Sequence, residues 1–481
     1  MYYLATICLC IFLPPQFYST LQARLEPQLL KTLHSGATTN AILHFRDAKL
    51  EEIREDFRKL TFDTRDARLN TIYSMLKDNA DTRQERVLDH LEKKESGRKI
   101  KYHQLWIINA LIVYNLNQNL LDELVGNYPE IEFIEGEKEF KQKPLEVKPG
   151  LKSGLTTNQA NWAFDKIGTA NAIANGCAGQ YIVVATIDTG VLWNHEALRN
   201  QYRGGASNPN HNYNWFDATG ASPNVPTDTS GHGTHTMGTL CGSGGIGHAP
   251  QAKWITCRGC EDDTCFNTDL LTCGQWILCP SDLTGNNRDC SKAPRIVSNS
   301  WEADFYDEPF YNAVVQMWES ARIVPFFAVG NTANFGVCQT CDSPGNQPGV
   351  FSIGASDIND LIADFSGLGW GPRGNIKPEM CAPGVNILSS FIPSTSSYGV
   401  FSGTSMATPC AAAMGALILS VRPGLTPSQV HEIILEGCKG HVPSVICNST
   451  DNAQKNNQYG RGRPDASKIC SLAKAYTSKD I

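Results

Sequence analysis

Between Gln22 and Asn161 the chain contains no cysteine, although it carries 17 in all. That stretch therefore folds without disulfides. An excess of one charge sign is also missing: 41 basic and 48 acidic side chains leave a net −7. The balance argues against a nucleic-acid surface. There is no internal repeat and no long low-complexity tract. Beyond the N-terminal run no segment approaches the length of a bilayer span, so the mature protein is expected to be soluble. His195 and His248 lack any metal-ligand spacing and read as surface or loop residues, and no metal is expected.

What is present divides the chain into unlike parts. The run Leu4 to Leu13, followed by Pro14-Pro15, is too short to cross a membrane and reads as a signal peptide over residues 1–20. Residues from about 45 to 105 are dense in charge, within a mixed region spanning 21–140. That region reads as a strand (Asn40 to Phe45), charged helices (Leu50 to Leu91), a central strand (Leu105 to Leu116), a helix (Leu120 to Tyr128) and a strand (Glu130 to Glu135). That order describes a small α+β unit. Residues 141–158, with Pro144, Pro149 and several lysines, read as a linker with a maturation site. From 159 to 481 strands and helices alternate: Tyr181–Ile187, Ala252–Cys257, Leu270–Leu278, Arg295–Ser298, Ala313–Ala321, Ile323–Ala328 and Val350–Ile353. Alternation of this kind implies an α/β fold with a doubly wound, mainly parallel sheet and helices on both faces.

Cys8 and Cys10 lie in the signal run, so 17 − 2 = 15 cysteines remain, all after Asn161. Such density points to an oxidising compartment and several disulfides. The odd total requires a free thiol, and Cys410 is the candidate, at the start of an apolar helix. Cys257-Arg-Gly-Cys260 and Cys338-Gln-Thr-Cys341 also fit redox or zinc pairs.

Three stretches carry chemistry. The apolar, β-branched run Tyr181 to Ile187 ends in Asp188-Thr189-Gly190, which puts a carboxylate at the carboxyl end of a buried strand, where open α/β sheets build their sites. Asp228-Thr-Ser-Gly-His232-Gly-Thr-His235 follows. Phe401-Ser-Gly-Thr-Ser405-Met-Ala-Thr-Pro409 then leads into Ala411 to Val421, apolar on every side. Ser405 is thus near the N-terminus of a buried helix, where an N-cap serine and a nucleophile are both at home. The order aspartate, histidine, serine matches one chain order of the Ser-His-Asp triad.

These motifs resemble the subtilisin family of serine proteases, over roughly Trp162 to the C-terminus. Asp188 in Ala-Thr-Ile-Asp-Thr-Gly-Val, His232 in Gly-His-Gly-Thr-His-Thr-Met-Gly-Thr and Ser405 in Gly-Thr-Ser-Met-Ala-Thr-Pro are similar to the family's three catalytic motifs. Ala328-Val329-Gly330-Asn331 resembles the segment whose asparagine completes the oxyanion hole. Within the family the bacillopeptidase F branch looks nearest, on Gln275 to Asp282, Ser298 to Trp301, Asp342 to Pro348 and Ile376 to Glu379. The resemblance implies a secreted, extracellular serine endopeptidase made as a zymogen. In it, residues 21–140 would be a prodomain acting as chaperone and tethered inhibitor, and 159–481 the catalytic domain. Asp188, His232 and Ser405 would form the triad, with Asn331 as oxyanion donor and His235 structural. Ser300, Trp301, Glu302, Ala328, Val329 and Gly330 would bind substrate. The implied partners are protein or peptide substrates and the chain's own prodomain, with no nucleic acid, no membrane span and a monomeric state.

The chain departs from the family at several points. The stretch Thr239 to Pro250 is short. The ligands of the family's high-affinity calcium site are not recognisable, so no cofactor is expected. Cys410 replaces a histidine common in the serine helix. Glu302 stands where glycine usually keeps the P1 pocket open, and Asp304, Asp307 and Glu308 follow it. A carboxylate there fits a substrate Lys or Arg near P1, or alternatively an acidic cluster facing water. Asn448-Ser449-Thr450 is a glycosylation sequon. Two other classes share some of these features. Asp188-Thr-Gly and Asp228-Thr-Ser imitate aspartic-protease motifs, but those enzymes need two similar lobes with aspartates far apart in sequence. A non-enzymatic binding protein would not need Asp188, His232, Asn331 and Ser405 all intact.

Overall fold

A computed structural model of the chain describes residues 23–46, 48–93, 100–141, 148–151, 162–303, 311–333, 337–439, 447 and 455–477. The expected signal peptide, most of the linker, Asp304, Asp307, Glu308 and Asn448 lie outside the described residues.

The larger unit is built on a seven-stranded sheet. Its strands, in spatial order, are Met380–Pro383, Ser352–Ser356, Val324–Ala328, Ile296–Asn299, Val183–Asp188, Lys253–Arg258 and Trp215–Asp217. Every neighbouring pair is parallel. Val183–Asp188 is central, as its apolar, β-branched run requires of a strand covered on both faces. Successive side chains alternate between two cores. Val184, Ile296, Phe326 and Ile353 join one, with the helix Thr404–Val421. Ala185, Ile187, Val297 and Phe327 join the other, with the helices Asn267–Leu278 and Asn312–Ser320. This is the α/β arrangement expected from the alternation: five of the seven strands fall within three residues of an expected segment, while Trp215–Asp217 and Met380–Pro383 were not anticipated.

Thr404–Val421 is the helix around which the unit closes. Its alanines and Gly415 let it lie close to the sheet: a Cβ at Gly415 would stand 2.8 Å from Ile296 Cδ1. It amends one expectation, because with 18 residues and a mean hydropathy of 1.5 it is long and apolar enough to cross a membrane. It is instead 89% buried inside the fold, as an all-round apolar helix in a large core should be.

Residues 24–136 form a second unit, a five-stranded sheet in the order Arg24–Leu25, Ile131–Gly136, Thr39–Phe45, Ala110–Leu116, Tyr102–Leu105. Against it packs the helix Arg65–Glu92, whose buried Leu69, Ile72, Leu76, Ala80, Gln84, Val87 and Leu91 recur at helical spacing. Thr64 caps it by accepting from the Ala67 N–H at 3.1 Å. One expectation is corrected here. Leu105 to Leu116 is not one strand: Trp106 to Asn109 form the turn of a hairpin, with Asn109 left-handed at φ 51°. The turn is apolar because it is buried against the larger unit, where Ile107 N–H donates to Gln275 Oε1 at 3.3 Å. Trp106 and Ile107 share a core with Trp276 and Trp318.

The chain leaving this unit pairs as it goes. Glu139–Lys141 runs antiparallel to Thr264–Phe266. Lys148–Leu151, inside the expected linker, adds a strand beside Ser397–Phe401.

Five disulfides join Cys177–Cys470, Cys257–Cys273, Cys260–Cys265, Cys279–Cys290 and Cys338–Cys447. Neither Cys-x-x-Cys segment pairs within itself, and no His/Cys/Asp/Glu cluster able to hold a metal occurs among the described residues. Cys410 is free and buried, as expected, but so are Cys241, Cys341 and Cys381, with Cys438 half-buried. Burial raises the pKa of all five thiols, which keeps them inert. Non-reducing peptide mapping should recover the five bonds. The five thiols should alkylate only after unfolding, and rapid labelling of Cys341 or Cys410 in native protein would contradict their burial. Reduction should cost about 2–5 kcal/mol for a bond whose loss destabilises the fold.

Candidate active site

Asp188 ends the central strand and is wholly buried. Its Oδ1 accepts the Thr189 N–H at 2.8 Å and meets His232 Nδ1 at 2.6 Å. Its Oδ2 accepts from Thr236 Oγ1 at 3.0 Å. The carboxylate is thus saturated and holds the imidazole with Nδ1 protonated, leaving Nε2 as the proton acceptor.

His232 opens the helix His232–Cys241. Two glycines make the approach possible. Gly231 is left-handed at φ 88°, and a Cβ there would fall 2.1 Å from the Phe391 ring. A Cβ on Gly233 would fall 2.0 Å from the Gly190 carbonyl oxygen and 3.1 Å from Asp188. Burial alone would depress the pKa of His232. The charge and hydrogen bond of Asp188 oppose it, with Asp228 and Glu302 adding to them, and the net result is a pKa raised above 6.5.

Asp228 is the functional side chain that motif reading left without a role. Its Oδ1 accepts from Gly231 N–H (2.8 Å) and Thr189 Oγ1 (2.9 Å), and its Oδ2 from Thr234 N–H (2.8 Å) and Thr234 Oγ1 (2.6 Å). It caps the N-terminus of the histidine helix and ties it to the Asp188 loop, where the helix dipole favours an anion. Turned to these donors, it cannot pair with Asp188 as an aspartic-protease dyad would. The available signal was an aspartate three residues before Gly231, at a helix start.

Ser405 is the second residue of its helix and is buried. Pro409 has no N–H to give to the Ser405 carbonyl four residues back. Ser300 Oγ takes that place, donating to Ser405 O at 3.0 Å, while Ser405 Oγ donates to Ser300 O at 3.1 Å. This pair pins the serine helix to the end of the Ile296–Asn299 strand. Among the described contacts Ser405 Oγ donates to Ser300 O and makes no hydrogen bond to His232. The serine and histidine helices pack directly on one another.

Asn331 stands beside them. Its Oδ1 accepts from Thr404 N–H (2.8 Å) and Thr404 Oγ1 (3.0 Å), which fixes which end of the amide is the donor. Its Nδ2 donates to Glu302 Oε1 at 2.9 Å. Glu302 is therefore not in water but 5% exposed, on the amide beside Ser405. The side chain of Trp301 packs edge-on against Tyr311 and Phe327 in the core, with centroids 5.0 and 5.7 Å away. Ala328 and Val329 are wholly buried, and Gly330 is left-handed at φ 107° against Asp342.

Three further histidines that the sequence singled out make buried contacts to backbone or hydroxyl oxygens. His235 is buried, donates from Nε2 to Ile387 O at 3.0 Å, and is depressed by burial to about 3. His195 and His248 lie in loops, one of the two expected settings, but are buried and not at the surface. His195 donates from Nε2 to Ser397 O at 2.7 Å, and His248 Nδ1 meets Thr169 Oγ1 at 2.8 Å.

The model of the subtilase family matches residues 179–462, a span that takes in all these residues. The chain belongs to the subtilase family. Among curated subtilases, bacillopeptidase F of Bacillus subtilis (strain 168) is 34% identical over 475 residues, covering 94% of this chain and 32% of that protein. Serine protease AprX of the same organism is 31% identical, covering 57% of this chain and 66% of its own length. Subtilisin E is 30% identical, covering 54% and 61%. The chain thus spans a third of the length of the first of these subtilases, and less than two thirds of the other two.

Proposed function

We propose that this chain is a secreted serine endopeptidase that hydrolyses peptide bonds through Asp188, His232 and Ser405, with Asn331 as oxyanion donor. The observation that carries the reading is the 2.6 Å bond from buried Asp188 to His232 Nδ1, on helices that bring His232 towards Ser405. His232 Nε2 takes the Ser405 proton as Oγ attacks the substrate carbonyl. The resulting imidazolium is stabilised by Asp188, and the proton passes to the leaving amine. Asn331 Nδ2 meets the negative charge on the tetrahedral oxygen. Water then hydrolyses the acyl-enzyme by the same proton transfers in reverse.

Residues 21–140 act in this account as a prodomain, a chaperone and tethered inhibitor cut from the catalytic domain within 141–158. Its support is the shared core around Trp106 and the exit strand Glu139–Lys141 paired to the larger unit. Ser300, Trp301, Glu302, Ala328, Val329 and Gly330 bound the substrate, with Trp301 contributing its backbone. Asn448 carries a glycan where the secretory pathway adds one.

Glu302 sets the P1 preference. A carboxylate on the oxyanion donor opposes the charge that develops there, so it must leave for the reaction to run. A substrate Arg or Lys draws it away and pairs with it. Matched peptides with Arg, Phe or Leu at P1 should then show a preference for Arg of about 10–100-fold in kcat/KM, the worth of one charge-assisted hydrogen bond. Glu302→Gln should remove that preference. Equal rates on all three peptides would leave Glu302 without this role.

The pH profile follows from the base. Protonated His232 cannot accept the serine proton, so kcat/KM should fall as pH drops through the pKa of His232, above 6.5. Because the Glu302 charge helps hold that pKa up, the acid limb of Glu302→Gln should move to lower pH. An unmoved limb would contradict the coupling.

A further inference from the structure

Away from the active site, five guanidinium groups gather where the two units meet, and among the described residues none pairs with a carboxylate. Arg65 and Arg68 come from the first turn of the Arg65–Glu92 helix, Arg295 and Arg322 from the larger unit. These four line one cavity of about 340 Å³, together with Asp63 and Pro423. Arg203 lies near enough to Arg65 to act on its charge.

Their hydrogen-bond partners in the protein are carbonyl oxygens, and Arg68 also lies over the Phe57 and Phe62 rings. Arg65 donates to Ala293 O (3.1 Å) and Pro294 O (2.6 Å), and Arg68 to Ser320 O (3.0 Å). Arg295 donates to Arg322 O (3.2 Å), Pro423 O (2.8 Å) and Leu425 O (3.4 Å), and Arg322 to Gly424 O (3.3 Å). Those seven bonds occupy a minority of the donors, since each guanidinium has five. Arg65 Nε is buried without a partner. Carbonyl dipoles orient the side chains but do not neutralise them. Burial, and then the charge of Arg295, pulls Arg65 down to about 9. Burial and Arg322 pull Arg295 down to about 10. The nearby acids are too few or turned elsewhere. Asp63 is exposed, Asp66 acts on Arg65 without bonding it, and Glu319 in the adjoining hollow has Arg54 and Arg58 as its acting cations.

We propose that this cavity binds a small tetrahedral oxyanion, phosphate or sulfate, which clamps the 24–136 unit onto the α/β unit. Guanidinium forks match such oxygens in pairs. The helix dipole at Arg65 adds to the attraction. Because each unit supplies two of the four lining arginines, the anion binds only the docked form and stabilises it by mass action. Separation of the units would disassemble the site and release the anion. A slowing of activation by phosphate follows only if the N-terminal unit is an inhibitor; the binding itself does not depend on that reading.

The test uses the full chain carrying Ser405→Ala, with gel length recorded so that a failure of self-processing is seen separately. Its melting temperature is read against inorganic phosphate, and separately sulfate, at constant ionic strength set with chloride. Concentrations stay below about 10 mM, too dilute for general salting effects. A saturable rise of about 2–4 °C is expected, with most of it lost in Arg322→Gln and in Arg68→Gln. Arg322 bonds only one exposed carbonyl, so Arg322→Gln serves alone if Arg68→Gln does not fold. No rise with either anion, a rise that never saturates, or an equal rise in the folded variants would overturn the proposal.

Discussion

Replacing Ser405 with alanine should abolish peptide hydrolysis and leave the secreted chain at precursor length. In the proposed mechanism the Ser405 hydroxyl is the group that attacks the substrate carbonyl, with His232 as its base. Its loss leaves an intact oxyanion donor and an intact base with nothing to deprotonate. In subtilisin itself such a removal lowers kcat about 10⁶-fold, and a loss of that order is expected here. The fold should survive. The helix is buried by its alanines and leucines, and the Ser300 hydroxyl still reaches the carbonyl of residue 405. One neutral hydrogen bond is lost, worth about 1 kcal/mol. If the variant were secreted already trimmed, another protease would be making the cut, and self-processing would be wrong while the nucleophile assignment stood.

The Asn331→Ala variant should turn over about 10²–10³-fold more slowly with KM nearly unchanged. That magnitude is the one found for loss of the equivalent donor in subtilisin. The ground-state carbonyl is a weak acceptor and the tetrahedral oxyanion a strong one, so the Nδ2 bond belongs mainly to the transition state. The orientation of this amide is set by Thr404, whose N–H and hydroxyl both donate to Asn331 Oδ1. Thr404→Val should therefore reproduce part of the loss through misplacement. Truncating Asn331 also removes its hydrogen bond to Glu302, so the pH profile of Asn331→Ala should be compared with that of the double variant with Glu302→Gln. A large rise in KM with normal kcat would mean that Asn331 binds substrate and does not stabilise the oxyanion.

Much of the fold and site could be read from the residues. The apolar run before Asp188, the glycines flanking His232 and the alanine-rich helix after Ser405 each carry a local requirement: burial on both faces, close approach, tight packing on a sheet. Those requirements depend on few neighbours, so they are visible in short stretches. What was not legible depends on residues distant in sequence. Trp106 to Ile108 looked like a strand because the turn they make is apolar, and it is apolar only because Trp276 and Gln275 lie opposite. His195 and His248 read as surface or loop residues; they are in loops but buried, which nothing local announces, because Ser397 and Thr169, far off in the chain, meet their ring nitrogens. The disulfide from Cys338 to Cys447 and the thiol left at Cys341 could not be separated by spacing. Glu302 was recognised as out of place beside the P1 pocket, yet its bond to Asn331 could not be anticipated, since it requires knowing that the two loops meet.

The most direct test is to treat the processed protein with a fluorophosphonate and map the adduct by peptide mass spectrometry. A nucleophilic serine activated by His232 and Asp188 predicts a single phosphonylated site, at Ser405, formed in step with loss of peptidase activity and absent from His232→Ala. Hydrolysis that persists with no adduct, or an adduct at any other residue that tracks the loss of activity, would contradict the account.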